Sequence, residues 1–191
     1  MSGYSSTHGK PDQARTCRET EPGVMTNLPY AEPLTLKQPA ALTIPEPPRR
    51  GEEGGEPCWP CDPQSRTSMI WEDEHWTLHS PMQCSLPGTL WLASKTHFDS
   101  FADMPPDQAA TLAGVIGRVE RAILATGDVG RVHLARWGEG GAHFHLWFLA
   151  RPLGRLDMAN HALPVWEDAL PARDQAEIDA IGEKIAAALV A

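Results

Sequence analysis

The chain has 191 residues, 41% of them hydrophobic, which is room for one ordinary domain with a core and some excess length. Its 16 basic residues against 25 acidic ones give a net charge of −9 with no basic stripe, so a small molecule or a protein is the expected partner rather than a nucleic-acid polymer. No apolar run reaches the roughly 18 residues that span a membrane, and the opening MSGYSSTHGKPDQARTC lacks a basic segment followed by an apolar one; a cytoplasmic chain without membrane anchor or signal peptide is the expectation.

In chain order, residues 1–57 hold nine of the 18 prolines and end in EPPRRGEEGGEP. Proline at this density blocks helices and sheet ladders, and glycine with charge favours a solvated chain, so 1–57 reads as a flexible or draped extension. Its apolar pieces NLPYAEPLTL and AALTI are able to dock on the rest, and Met25 is an alternative initiator. Residues 58–191 read as the domain. SMIWEDEHWTLHS predicts two strands around an acidic turn at Glu72 to Glu74, and PGTLWLAS a third strand entered through a Pro-Gly turn.

PPDQAATLAGVIGRVERAILATG is the strongest helix signal. Leu112, Val115, Ile116, Val119 and Ile123 fall on one stripe, a proline suits the first turn and Gly127 the end. GRVHLARWG and GAHFHLWFLAR predict two more strands across a GEGG loop. A last helix is expected to start at Asp174, whose DQAE run is an N-cap with Glu177 three residues on, and to turn Ile178, Ile181, Ile185 and Leu189 inward. The sum is an α+β chain with a mostly antiparallel, five-stranded sheet, a central amphipathic helix and a C-terminal helix.

Two patterns carry chemistry. Of Cys17, Cys58, Cys61 and Cys84, only Cys58 and Cys61 form a close pair, as CWPC. That spacing serves a zinc knuckle or a redox pair, and a redox pair usually opens a helix, whereas this one opens into prolines. The second pattern is HFHLWFL. Alternation puts His143, His145, Trp147 and Leu149 on one side of a strand and Phe144, Leu146 and Phe148 on the other. Two imidazoles on one face suit a nucleophile with a supporting group, or a metal ligand beside a base.

The run from Pro87 to Arg151, with PGTLWLASKTHFDSFADMPPDQAATL and then HFHLWFLAR, resembles the histidine triad (HIT) superfamily of nucleotide hydrolases and transferases. The family order is Pro-Gly-His, a strand, Pro-Lys-x-His, a Leu-rich helix and a strand of three alternating histidines closed by Pro-Arg. The likeness covers about 65 residues, or near 95 with the CxxC, and implies the HIT fold.

It also implies a structural zinc held by Cys58, Cys61, His97 and His143, the matching positions in bacterial zinc-containing relatives. Two thiolates and two imidazoles would leave no open coordination position. The second triad histidine, the nucleophile on an α-phosphorus through a nucleotidyl-histidine, corresponds to His145. Relatives commonly form homodimers through the central helix and sheet edge, and a homodimer is expected here.

The departures from the family pattern are as informative. The third triad histidine is Trp147, which has one neutral N–H and no titratable proton. The histidine of Pro-Gly-His is Thr89, and the proline before the final arginine is Ala150. The glutamine that precedes the triad in many relatives aligns with Glu139, whose carboxylate would oppose a polyphosphate by a few kcal/mol at an effective dielectric near 20. Trp147, Glu139 and His133 are therefore the candidate substrate-binding residues, Trp147 by stacking on a base and the other two as replacement acid–base groups. The expected activity is that of a HIT-type nucleotide hydrolase or nucleotidyltransferase, acting on nucleotide phosphoesters, anhydrides or phosphoramidates. The alternatives are a catalytically impaired nucleotide- or small-molecule-binding module on the same fold, and an enzyme repurposed for a non-nucleotide substrate.

Overall fold

The structure, a computed structural model, describes residues 27–30, 35 and 37–190. Cys17, Met25 and residues 31–34 and 36 of the first apolar piece lie outside the described residues, while Leu42 and Ile44 of the second are exposed.

Five strands form one antiparallel sheet: β1 (Met69–Glu72), β2 (Trp76–His79), β3 (Leu90–Ser94), β4 (Val129–Ala135) and β5 (His145–Pro152). Their order across the sheet is β1-β2-β3-β5-β4. The acidic turn between β1 and β2 forms where expected, with the Asp73 carboxylate accepting from the backbone N–H groups of His75 and Trp76. Gly88, at φ +89°, makes the turn into β3, a left-handed conformation that side chains other than hydrogen adopt at a cost. β5 starts at His145, two residues later than the alternation suggests. His143 and Phe144 form the entry to it, where the Phe144 N–H donates to Phe98 and its carbonyl accepts from Ser94.

The register makes the two faces chemically different. Leu90, Leu92, Leu78, Trp76, Leu146 and Phe148 lie on one face, and α1 (Pro106–Leu124) and α3 (Gln175–Val190) complete that core with Val115, Val119, Ile123, Ile185 and Leu189. The stripe read from the sequence is the buried one, with Leu112, Ile116 and Ile181 half-buried at its margin. The Asp174 carboxylate caps α3 by accepting from Ala176 N–H.

The other face carries Thr77, His79, Trp91, Ala93, His145, Trp147 and His133. They are aligned there by the pairs His79↔Trp91, Trp91↔Trp147 and Ala93↔His145, with His133 opposite Leu149. Only part of this face is covered. A smaller apolar cluster of Cys84, Leu86, Leu149, Met158, Leu163 and Ile178 closes one end, under a short helix α2 (Leu163–Ala169) that the sequence pattern did not suggest.

The end of the extension is packed rather than free. Residues 49–56 form a turn with the Gly51 N–H donating to Glu56, and the Ala142 N–H donates to the Arg50 carbonyl. Arg49 bonds Glu52, the Asp99 carboxylate at 2.6 Å and the Gly138 carbonyl at 2.8 Å. Arg136 also donates to Asp99. Further upstream, Trp166 Nε1 donates to the Asn27 carbonyl at 2.6 Å.

Candidate functional site

At the end of the sheet, the loop before β5 meets the CWPC segment. Cys58, Cys61, His97 and His143 each offer one ligand atom, and these four atoms lie within 4.8 Å of one another. His143 Nδ1 is 3.2 Å from Cys58 Sγ, 3.4 Å from Cys61 Sγ and 3.3 Å from His97 Nδ1. A tetrahedral zinc with Zn–S near 2.3 Å and Zn–N near 2.0–2.1 Å has edges of about 3.3–3.8 Å between its ligand atoms, so these separations fit such an ion. Two soft thiolates and two imidazoles are also the donor set that zinc prefers.

The orientation of His143 agrees with a ligand role. Its Nε2 is 2.8 Å from the Ser94 carbonyl, which can only accept, so Nε2 carries the proton and Nδ1 presents its lone pair to the cluster. Burial holds His143 below the ordinary histidine range; the neighbouring His97 and His145 act in the same direction, and the Ser94 bond opposes them. Gly51 shows how tightly the extension turn covers this cluster. A Cβ there would stand 3.1 Å from His97 Cε1 and 3.3 Å from Cys58 Cβ, on a backbone at φ +91°.

His145, two residues on, is held through its other nitrogen. Its Nδ1 lies 2.8 Å from the His143 carbonyl and must therefore be the donor, which leaves Nε2 with a free lone pair. His145 lines a cavity of about 450 Å³ between the partly open sheet face and the segment around CWPC. Trp59, Trp91, Trp147 and Met82 line it too, so most of its wall is apolar. His79 stacks on Trp91 with ring centroids 4.0 Å apart, and Trp147 stands between Trp91 and Trp137 at 6.4 Å from each. The result is an aromatic row crossing β2, β3, β5 and the loop before β5.

The structure thus brings Cys58, Cys61, His97 and His143 into one cluster and sets His145 and Trp147 side by side in one cavity. It does not bring Glu139 or His133 to that cavity. Glu139 is exposed in the loop beyond β4, and Gly140 and Gly141 line the cavity instead. His133 lies on the same sheet face but across β5; burial, then Arg151, lower its pKa from the usual value. Thr89 is buried and structural, its Oγ1 accepting from Ala150 N–H. Arg50, Trp59 and Trp91 are lining residues that the sequence reading did not single out. The only signals for them were the tryptophan inside the CxxC and the period-2 position of Trp91.

No protein-family model matches the sequence, and no curated protein matches it. Solved structures do. A hypothetical histidine triad nucleotide-binding protein from Sulfolobus tokodaii aligns over 70% of this chain and 92% of its own, at 17% identity and a TM-score of 0.54. A histidine triad protein from Bradyrhizobium japonicum aligns over 65% and 92%, at 21% identity and a TM-score of 0.53. A zinc-bound histidine triad family protein from Mycobacterium smegmatis aligns over 64% and 83%, at 22% identity and a TM-score of 0.48. The first two likenesses establish architecture: this chain has the α+β fold of the histidine triad proteins.

Proposed function

We propose that the protein is a histidine-triad-type enzyme acting at the α-phosphorus of a nucleoside monophosphate ester or anhydride, with His145 as nucleophile. The observation that carries this reading is the pairing of a free Nε2 lone pair on His145 with a 450 Å³ cavity that the same residue lines. The His143 carbonyl retains the Nδ1 proton and fixes the ring, so Nε2 attacks phosphorus without first losing a proton. A nucleotidyl-histidine forms, and water or another acceptor then releases the nucleotide. Trp147 and Trp91 offer flat surfaces for a base or an aromatic leaving group.

The reading also assigns zinc to Cys58, Cys61, His97 and His143. A zinc ion there would cross-link the CWPC segment, the loop after β3 and the entry to β5, and its four protein ligands leave no position for substrate. A second copy would dock along β4, the sheet edge, where Leu134 is half exposed.

The test is intact-mass spectrometry after incubation with a panel of activated nucleoside 5′-phosphates, beside His145→Ala. A nucleotidyl adduct or released monophosphate that is lost in the variant is the expected result. Binding without adduct or product across the panel would overturn the enzyme reading. It would favour a binding module, for which the mainly apolar cavity wall and Trp147 in place of the third histidine already speak. A native spectrum of protein purified without chelator should carry one zinc per chain.

A further inference from the structure

A phosphoryl or nucleotidyl transfer has two requirements: the nucleophile must present a free lone pair, and the leaving group must depart in a stable form. The first is provided by His145. The second has no provider among the described residues that line the cavity.

Cys58 and His143 belong to the Cys2His2 cluster, and His143 already commits its Nε2–H to Ser94. Arg50 is a cation that does not give up its proton, and its Nη1 donates to the Pro57 carbonyl at 3.0 Å. Thr67, Ser68 and Ser80 bring hydroxyls, which do not serve as acids near neutral pH. Trp147, beside His145 on the same strand face, has an N–H that donates a hydrogen bond but does not transfer a proton. No described lining residue is Asp, Glu, Lys or Tyr.

Resting on the assignment of His145 as nucleophile, we infer that this site is restricted to substrates whose leaving group departs from phosphorus as a weakly basic anion. Aryl phosphodiesters and mixed phosphoric–carboxylic anhydrides belong to that class. Phosphoramidates and simple alkyl esters, which leave as an amine or an alkoxide and need a proton to do so, fall outside it.

The balance of the step fits the residues present. The Nε2 lone pair forms the N–P bond, the bond from phosphorus to the leaving oxygen breaks, and its electron pair leaves with that oxygen as a phenolate or carboxylate. No proton moves in this step. Water then attacks phosphorus and the N–P bond breaks, its pair returning to Nε2. The two protons of that water go to the nucleotide product and to solvent, and Nδ1 keeps its proton throughout. The cavity suits the same class. It offers one guanidinium, enough for a single phosphate charge, and the indoles of Trp59, Trp91 and Trp147 for a flat apolar group. Trp147, the lining residue beside His145 on the same strand face, is thus the specificity-determining residue.

The test compares three adenosine 5′-phosphate derivatives on the full chain. One carries 4-nitrophenol; the second carries unsubstituted phenol, whose basicity is close to that of tyrosine, near pKa 10; the third is the phosphoramidate of tryptamine. Release of adenosine monophosphate is measured for each, and the phosphoramidate is also tested as a competitive inhibitor to show that it binds.

A positioned general acid contributes about 10²–10⁴-fold, so kcat for the phosphoramidate should fall below that for the nitrophenyl ester by at least about 10²-fold. The phenyl ester should lie between them. Trp147→His should narrow the ratio by about tenfold or more, and Trp147→Phe, which keeps the ring without an acid, should leave it unchanged. The wild-type series decides the matter even if the histidine variant fails to fold. Equal rates for nitrophenyl ester and phosphoramidate, both lost in His145→Ala, would overturn the leaving-group restriction while sustaining the nucleophile. No adduct and no product with any of the three would overturn both.

Discussion

His143 and His145 are separated by a single residue, each is held by a main-chain carbonyl, and each uses the opposite ring nitrogen. His143 gives its Nε2–H to Ser94 and turns Nδ1 toward two thiols, whereas His145 gives its Nδ1–H to the His143 carbonyl and keeps Nε2 free. The same side chain is thus set up in two different ways because the backbone around it offers a different acceptor. One region is a closed knot of four donors, sealed by the 49–56 turn. The other is an open apolar cavity with one free lone pair. In the proposed reading, which histidine would bind a metal and which would react follows from the second contact of each ring, not from the ring itself.

The sharpest break of this comparison is His145→Ala. If His145 is the nucleophile, its loss should lower turnover of an activated nucleotide ester by at least about 10⁴-fold while zinc content stays at one ion per chain, read by native mass spectrometry. His143→Ala should do the reverse at the other site, losing the metal. Because structural zinc is worth about 10–16 kcal/mol of binding free energy in small zinc domains, most of the order of the CWPC segment and the 49–56 turn should go with it, seen as rapid amide exchange there.

Phe144 lies between the two histidines and points the other way. It is fully buried, stacked on Phe98 at 5.1 Å and tilted against Trp76 at 5.9 Å. Phe144→Ala should cost about 3–5 kcal/mol in denaturant unfolding and loosen both histidines together, where each histidine variant disturbs one.

His79, on the cavity face, supplies a pH test. Burial lowers its pKa to about 4. Between that value and the ordinary value near 6.5 the unfolded chain binds the proton more readily, so stability is complete above about pH 6.5 and declines as pH falls toward 4. The loss should reach about 3 kcal/mol, and His79→Gln should flatten that limb of the stability profile. The smallest effect is expected at Arg49. Its ion pair with Asp99 is partly exposed, so Arg49→Ala should cost about 1 kcal/mol or less, with faster proteolysis within 49–56 as the readout.

Much of this was legible in the sequence, for identifiable reasons. Alternation revealed the strands because one sheet face is continuously buried under α1 and α3, and the stripe on α1 is the one in the core. The four cluster residues were legible through their likeness to a family pattern, since a lone CxxC names neither of its further ligands. What stayed hidden depends on contacts distant in sequence. α2 is seven residues long with a proline in its first turn, too short for a period to show. The proline-rich extension gave no sign that Arg49 would reach Asp99 and Gly138, 50 and 89 residues away. Trp59 and Trp91 became cavity residues only when the CWPC segment folded over the open face. Glu139 and His133 suited the chemistry by type, but the turn of the loop and the width of β5 keep them from the lining.

The alternation at the entry to β5 has a consequence for changes in chain length. An insertion or deletion within Gly138–Gly140 only reshapes a loop, because neither histidine owes its facing to the count of residues there. A one-residue change between Phe144 and Phe148 would slip the strand by one position. The residues on its two sides would then fall out of phase: one extra residue before Leu146 either turns Leu146 and Phe148 toward the cavity and Trp147 into the core, or turns His145 into the core. His143, His145 and Trp147 therefore form one indivisible block of sequence, open to substitution in place but closed to any shift in spacing.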